Sequence, residues 1–194
     1  MDKISYALGL SFGQNMMASG IHSLDYSDLA DGIKDVMEGN EPKLSYQHAQ
    51  QILNEYFTQL SQKAAQVAKD EGERFLAENA KRPSVKTTSS GLQYEVIEAT
   101  LGQKPRATDT VKVHYEGKLI NGTVFDSSYK RGEPISFPLN GVIAGWTEGL
   151  QLMAVGSKYR FFIPYNLAYG TRGAGEQIPP YATLIFTVEL LAIE

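Results

Sequence analysis

Apolar positions recur at three- and four-residue steps through about the first 82 residues and at two-residue steps through about the last hundred. A helical half followed by a strand-rich half is the pattern's prediction. Ile4, Leu8, Phe12 and Met16, spaced by four, predict a first helix from about Asp2 to Met17. Gly9 and Gly13 lie on a neighbouring stripe. Each interior glycine costs about 1 kcal/mol relative to alanine, and close approach of another helix is the expected compensation. A second helix begins near Asp25 or Ser27, both good N-caps, with Asp28 spaced as in a capping box. Leu29, Ile33, Val36 and Met37 form its expected buried face, and Gly39-Asn40 before Pro42 ends it. A third helix starts at Ser45 and meets no breaker until Pro83. If continuous, its roughly 37 residues span about 55 Å. Its stripe is wide and aromatic at Ile52, Leu53, Tyr56 and Phe57, then narrow towards Phe75 and Leu76, flanked by Lys69, Asp70, Glu71, Glu73 and Arg74.

From Arg82 to Ser90 the chain is polar and aperiodic and reads as a linker. Beyond it, Leu92, Tyr94 and Val96, then Val111, Val113 and Tyr115, then Tyr159, Phe161 and Ile163 alternate with polar residues, as strands do. Asn121-Gly122 is a two-residue hairpin signal. Trp146 to Met153 reads as one short amphipathic helix, closed by the Val155-Gly156 turn. Many strands with a short helix define an α+β domain, an antiparallel sheet wrapped on that helix. The expected division is a helical domain over 1–82, a linker over 83–90 and a sheet domain over 91–194.

Composition narrows the function classes. The net charge of -4 offers no basic excess for nucleic acid. With no cysteine there is neither a disulfide nor a thiolate ligand or nucleophile. His22, His48 and His114 are scattered without ligand spacing, so no metal and no cofactor is expected. The glycine-rich run Gly170-Thr171-Arg172-Gly173-Ala174-Gly175 lacks the Lys-Ser/Thr of a phosphate loop. No stretch is long or apolar enough to span a bilayer, and no membrane partner is expected. The first residues show no leader pattern. A cytoplasmic location is therefore the default, and a periplasmic one follows if a leader has been removed.

The chemistry lies in an ordered set of segments. They run Val113-His114-Tyr115-Glu116-Gly117, Gly122-Thr123-Val124-Phe125-Asp126-Ser127-Ser128 and Gly141-Val142-Ile143-Ala144-Gly145-Trp146, followed by Ala168-Tyr169-Gly170 and Ile178-Pro179-Pro180-Tyr181-Ala182-Thr183-Leu184-Ile185-Phe186. Large aromatics with one interior carboxylate, Asp126, and no His or Cys beside them that could act as a nucleophile suit an apolar concave binding site. Singly, each aromatic reads as core packing and Asp126-Ser127-Ser128 as a turn.

In this order and combination the segments resemble the FK506-binding-protein (FKBP) family of peptidyl-prolyl cis-trans isomerases over about residues 84–194. The resemblance implies that Trp146 floors a proline pocket walled by Tyr115, Phe125, Val142, Ile143 and Phe186, with Ile178 at the end of the flap. It implies that the Ile143 N–H and Tyr169 O–H donate to substrate carbonyls. Asp126 would sit at the rim, oriented by Arg131 and the Tyr115 hydroxyl. Ile135 stands where the best-known eukaryotic members carry an aromatic wall, Ala174 where they carry a histidine, and Gln177 replaces an aliphatic residue. Those departures weigh on tacrolimus and rapamycin as ligands and leave the isomerase parts in place. Ser5-Tyr6-Ala7-Leu8-Gly9-Leu10-Ser11-Phe12-Gly13-Gln14 is similar to the dimerisation domain of the bacterial macrophage-infectivity-potentiator type of FKBP.

The resulting expectation is a homodimer through residues 1–82 whose sheet domains isomerise X-Pro bonds in peptides and unfolded chains. As a dimer it would also act as a chaperone. The competing expectation is a non-catalytic dimeric binding module.

Overall fold

Asp2 accepts a hydrogen bond from the Ser5 N–H at 2.8 Å and starts helix α1, Lys3–Ala18. Asp25 accepts from the N–H groups of Ser27 and Asp28 at 2.8 and 3.1 Å and starts α2, Tyr26–Glu38, which Gly39 closes at φ 72°. These orphan donors are the ones an N-cap carboxylate satisfies. The Ser45 hydroxyl accepts from the His48 N–H at 3.2 Å ahead of α3, Tyr46–Asn79. The computed structural model describes residues 1–194.

The chain divides into two compact units, Met1–Gln62 and Lys63–Glu194, and the division falls inside α3. In the first unit the expected buried face of α2 is exposed in the single chain. No residue of α1 or α2 is buried, and Ile33, Val36 and Met37 are 44%, 61% and 82% exposed. Nothing approaches within 4 Å of where a Cβ would stand on Gly9 or Gly13, so the expected helix contact is missing from the single chain. Both glycines instead line an apolar groove of about 410 Å³ with Phe12, Met16, Met17 and Leu24. Three helices supply too little surface to cover one another's wide stripes.

The second unit is an antiparallel sheet of β1 (Val85–Thr87), β2 (Gln93–Glu98), β3 (Thr110–Leu119), β4 (Val124–Ser127), β5 (Ile135–Pro138), β6 (Lys158–Ile163) and β7 (Leu184–Ile193). Its order is β1-β2-β6-β7-β3-β4, with β5 also pairing β3. The segment expected to be a linker contains β1, which pairs with β2 from Val85↔Glu95 to Thr87↔Gln93. The boundary expected near residue 82 also differs from the start of this unit at Lys63. The physical reason is the last two turns of α3. Phe75 lies 6.0 Å from Phe162, and a Cβ on Gly72 would stand 2.4 Å from Thr183 Oγ1. Asn79 donates to Gln93 at 2.8 Å, and Gln93 donates to the Leu76 carbonyl at 2.9 Å. Periodicity shows that these residues share a face, not which element that face meets.

On the core side of the sheet sits α4, Ala144–Leu150, which starts two residues before and ends three residues before the expected Trp146–Met153. Its glycines let it approach closely. A Cβ on Gly145 would fall 2.5 Å from Ile163 Cγ2, and one on Gly149 2.6 Å from Phe161 Cε1. Trp146 and Leu150 thereby join Val111, Val113, Phe161, Leu184 and Val188 in one core.

Candidate active site

Inward-facing positions of β3 alternate as Val111, Val113, Tyr115 and Gly117, all buried. Within this row Tyr115 stands beside Trp146, with ring centroids 5.1 Å apart and nearly perpendicular at 86°. Phe186 on β7 stands 5.0 Å from Trp146 at 83° and 5.5 Å from Phe125 at 81°. These edge-to-face contacts lock the rings into one cluster. Phe137 on β5 adds a further wall 5.2 Å from Trp146.

A bulge brings β4 into the cluster. Gly117 pairs with Asp126 and Lys118 with Val124, so Phe125 is the extra residue between them. Neighbours on a regular strand face opposite sides, and a bulge re-aims one of them. Phe125 and Asp126 both line the cavity as a result. Gly117 is the counterpart of this arrangement, because a Cβ there would stand 2.5 Å from Phe186 and 2.7 Å from Phe125.

The cavity measures about 730 Å³ and is lined by Tyr115, Phe125, Asp126, Ile135, Phe137, Val142, Ile143, Trp146, Tyr169, Ile178 and Phe186, with Gly141 and the flap residues 174–177 at its mouth. That size lies within the range of small-ligand sites. Its polar groups are few. Tyr115 and Arg131 both donate to the Asp126 carboxylate, and Arg131 Nη2 donates to the Tyr115 hydroxyl at 3.1 Å. Burial pushes the Asp126 carboxyl up, but these hydrogen bonds and the Arg131 charge outweigh it and hold the group below the usual carboxylate range. Burial raises the Tyr115 phenol, and its bond to Asp126 adds to the rise. Burial likewise raises Tyr169, with the Asp126 charge contributing.

Three donors face no acceptor within the chain. The Trp146 indole N–H is buried and unpartnered, and neither the Ile143 N–H nor the Tyr169 O–H forms a hydrogen bond. A buried donor left unpaired costs about 1–3 kcal/mol, a cost that falls here on Trp146, while Ile143 is half-buried and Tyr169 exposed. Tyr169 stands ahead of the flap, whose base closes where the Tyr181 N–H donates to the Gly170 carbonyl at 3.0 Å. Tyr181 holds the left-handed conformation at φ 60°, with its ring 5.0 Å from that of Tyr165.

Of the residues singled out in the sequence, Arg131 does not line the cavity. Expected among the substrate-binding residues as well as the groups that orient Asp126, it donates to the Asp126 carboxylate from outside the lining. Phe137 lines the cavity without being among the expected site residues, and Gly117, named in the first motif segment, had no expected role. Phe137 lies two residues beyond Ile135 on the same strand, and Gly117 two beyond Tyr115, so strand periodicity was the available signal for both.

An aromatic cavity on an antiparallel sheet, carrying one oriented carboxylate and open donors, suits binding of an apolar group rather than attack by a nucleophile. Residues 102–191 match the family described as FKBP-type peptidyl-prolyl cis-trans isomerase. Residues 1–96 match the domain amino terminal to FKBP-type peptidyl-prolyl isomerase. The chain is 49% identical over 192 residues to the FKBP-type 22 kDa peptidyl-prolyl cis-trans isomerase of Escherichia coli (strain K12), covering 97% of this chain and 93% of that protein. It is 40% identical to the outer membrane protein MIP of Legionella longbeachae, covering 100% and 85%. The crystal structure of FkpA from Escherichia coli superposes with a TM-score of 0.79 at 41% identity, over 99% of this chain and 95% of that one.

The chain belongs to the FKBP-type peptidyl-prolyl cis-trans isomerases. It is an isomerase of proline-containing substrates, built of an amino-terminal helical region and an FKBP-like sheet domain. The expectation of a non-catalytic module gives way to that membership. The cytoplasmic default finds no support among these relatives, one of which is by name an outer membrane protein.

Proposed function

We propose that the aromatic cavity is the isomerase site and that it acts by binding the twisted imide more tightly than either planar isomer. The barrier to rotation is the partial double bond of the amide, about 18–20 kcal/mol. No bond breaks, so preferential binding of the twisted state suffices. In that state the nitrogen loses conjugation and the carbonyl is less polarised, which an apolar floor of Trp146, Phe125 and Phe186 favours. A millionfold acceleration needs about 8 kcal/mol of such preference. The Ile143 N–H and Tyr169 O–H donate to the carbonyls that flank the proline. Asp126, held ionised by Arg131 and Tyr115, meets the carbonyl carbon at the rim. Ile135, Val142 and Ile178 complete the apolar wall. The observation that carries this reading is the pair of uncommitted donors, Ile143 and Tyr169, at an otherwise aromatic cavity.

Asp126→Leu and Tyr169→Phe test it in a protease-coupled assay on proline tetrapeptides. Both should lower kcat/KM in a folded protein. Unchanged turnover in both would show that the site lies elsewhere. Tacrolimus or rapamycin would enter the same cavity, with fewer aromatic contacts at Ile135 and Ala174 than the best-known eukaryotic members offer.

The active form in this reading is a homodimer assembled through residues 1–82, serving also as a folding helper. The exposed apolar faces support it: Ile4, Leu8 and Phe12 of α1 are each more than half exposed in the single chain. Two cavities on one dimer hold an unfolded chain by avidity, without any change in the cavity itself. The relative named as an outer membrane protein favours the cell envelope as its place of work, with the periplasm as the compartment.

A further inference from the structure

Two carboxylates line the cavity, and they are in opposite states. Asp126 is engaged by Tyr115 and Arg131. Glu176 forms neither an ion pair nor a hydrogen bond and is exposed at the cavity mouth. Arg131 spends its charge on Asp126, and Arg172, four residues earlier in the flap, does not line the cavity.

The backbone fixes where Glu176 stands. Ala174 and Ile178 form a reciprocal bridge, with N–H to carbonyl distances of 2.8 and 3.2 Å, so residues 175–177 are the tip of a pinned turn. Gly173, at φ 68°, seals the base of that turn. A Cβ there would stand 2.2 Å from the Ile178 carbonyl oxygen and 2.7 Å from Pro179. Ile178 is buried below the tip. The free carboxylate is thus carried by an anchored hairpin at the entrance.

We propose that Glu176 is a specificity-determining residue that makes the isomerase prefer substrates with a lysine or arginine beside the proline. The inference rests on the cavity being the isomerase site. A proline seated over Trp146 leaves its neighbours' side chains at the rim, where Glu176 is the uncompensated charge. An arriving ammonium or guanidinium gains the attraction, and a carboxylate meets repulsion. The screening length at physiological ionic strength is about 8 Å, long enough for a rim charge to act on a neighbouring side chain. Exposed pairs of this kind change an equilibrium about 1.4- to 5-fold. The attraction is present before and during rotation alike, so it belongs in KM rather than kcat.

The test uses the full chain and tetrapeptides carrying Lys, Gln or Glu immediately before the proline, with a second set varied immediately after it. At low salt, one of the two sets should show kcat/KM falling from Lys to Gln to Glu. The Lys-to-Glu ratio should be about two- to fivefold, carried by KM, and should fade as salt shortens the screening length. Glu176→Gln should collapse that ratio and Glu176→Lys should invert it, each taken relative to the same variant's Gln peptide. A flat series in the unmodified protein, or a Lys preference that survives in Glu176→Lys, overturns the inference. Asp126→Leu and Tyr169→Phe, run on the Gln peptide, separate the two failures. If they slow turnover while the charge ratio ignores Glu176, the site stands and only the selectivity is refuted. If they do not, the site itself is refuted and the selectivity with it.

Discussion

Phe125 and Asp126 are consecutive on β4 and yet line the same cavity, because Phe125 is the extra residue of a bulge opposite Gly117 and Lys118. The bulge gives the site both a hydrophobic wall and a carboxylate from a single short strand. Gly117 makes room for it, with Phe125 and Phe186 filling the volume that a side chain would occupy.

Gly117→Ala should therefore harm activity beyond its cost in stability. Overpacking of this kind costs about 1–3 kcal/mol. Displacing Phe125 and Phe186 by a fraction of their width should also lower kcat/KM about 10- to 100-fold. Gly149→Ala is the control. It overpacks equally, 2.6 Å from Phe161, but that ring does not line the cavity. Thermal unfolding together with the tetrapeptide assay separates the two variants. Equal activity losses at equal stability would mean that Gly117 has only a packing role.

The activity should vary little between about pH 6 and 8. Asp126 lies below the ordinary 3.8, so it is ionised throughout that window. Tyr115 and Tyr169 lie above the ordinary 10.0, so both stay protonated and able to donate. His114 points to the other face of β3 from Tyr115, towards Ser128 at 2.9 Å, and does not line the cavity. A bell-shaped profile with an apparent pKa near 7 would reveal a general acid or base among groups assigned no such role.

Periodicity suffices for α1, α2 and α3, since a three- and four-residue repeat with Asp25 and Gly39 at its ends leaves little freedom. It also carries the alternation of β3. It says nothing of partners, which is why the linker reading missed β1 and why Phe75 looked like the tail of a stripe rather than a contact for Phe162. Trp146 and Phe186 were legible through the ordered motif that contains them. Phe137 was legible only through its two-residue step from Ile135, which places both on one face of a four-residue strand and does not say that this face meets Trp146. Glu176 gave no sign either, because a lone acid in a glycine-rich loop looks like any solvated charge.

Acid should weaken the second unit through Glu95. Its carboxylate accepts from Ser84 and Arg82, each at 2.7 Å, with Arg160 at 3.7 Å. The hydrogen bond from Ser84 is the largest influence and, with both arginines, overrides burial to hold the group below the ordinary 4.5. The folded state thus stays unprotonated where the unfolded chain takes up a proton. The stabilisation is complete above about pH 5 and is lost as pH falls through the folded value. Glu95→Gln should cost about 1–3 kcal/mol at pH 7 by urea titration, with the deficit shrinking as pH drops towards 3. A deficit that grows in acid would reverse the sign assigned to this carboxylate.

The last turns of α3 decide where the chain can be cut. A fragment 63–194 keeps Phe75 on Phe162, Asn79 on Gln93 and Arg82 on Glu95. It should fold alone, remain monomeric by light scattering and retain most of its turnover of a tetrapeptide, since the cavity residues begin at Tyr115. A fragment 84–194 loses all three contacts and uncovers Phe162, so it should unfold at distinctly lower urea while its cavity is unchanged in composition. Residues 1–82 should conversely self-associate, because their apolar stripes have no other cover. On a whole protein whose refolding is limited by a proline step, the fragment 63–194 should be much poorer than the full chain. There the helical part can hold the substrate while a cavity samples its prolines, raising the local concentration. A monomeric full-length chain, or a fragment that refolds the protein equally well, would remove the dimer from the account and leave the exposed faces of α1 and α2 in need of another partner.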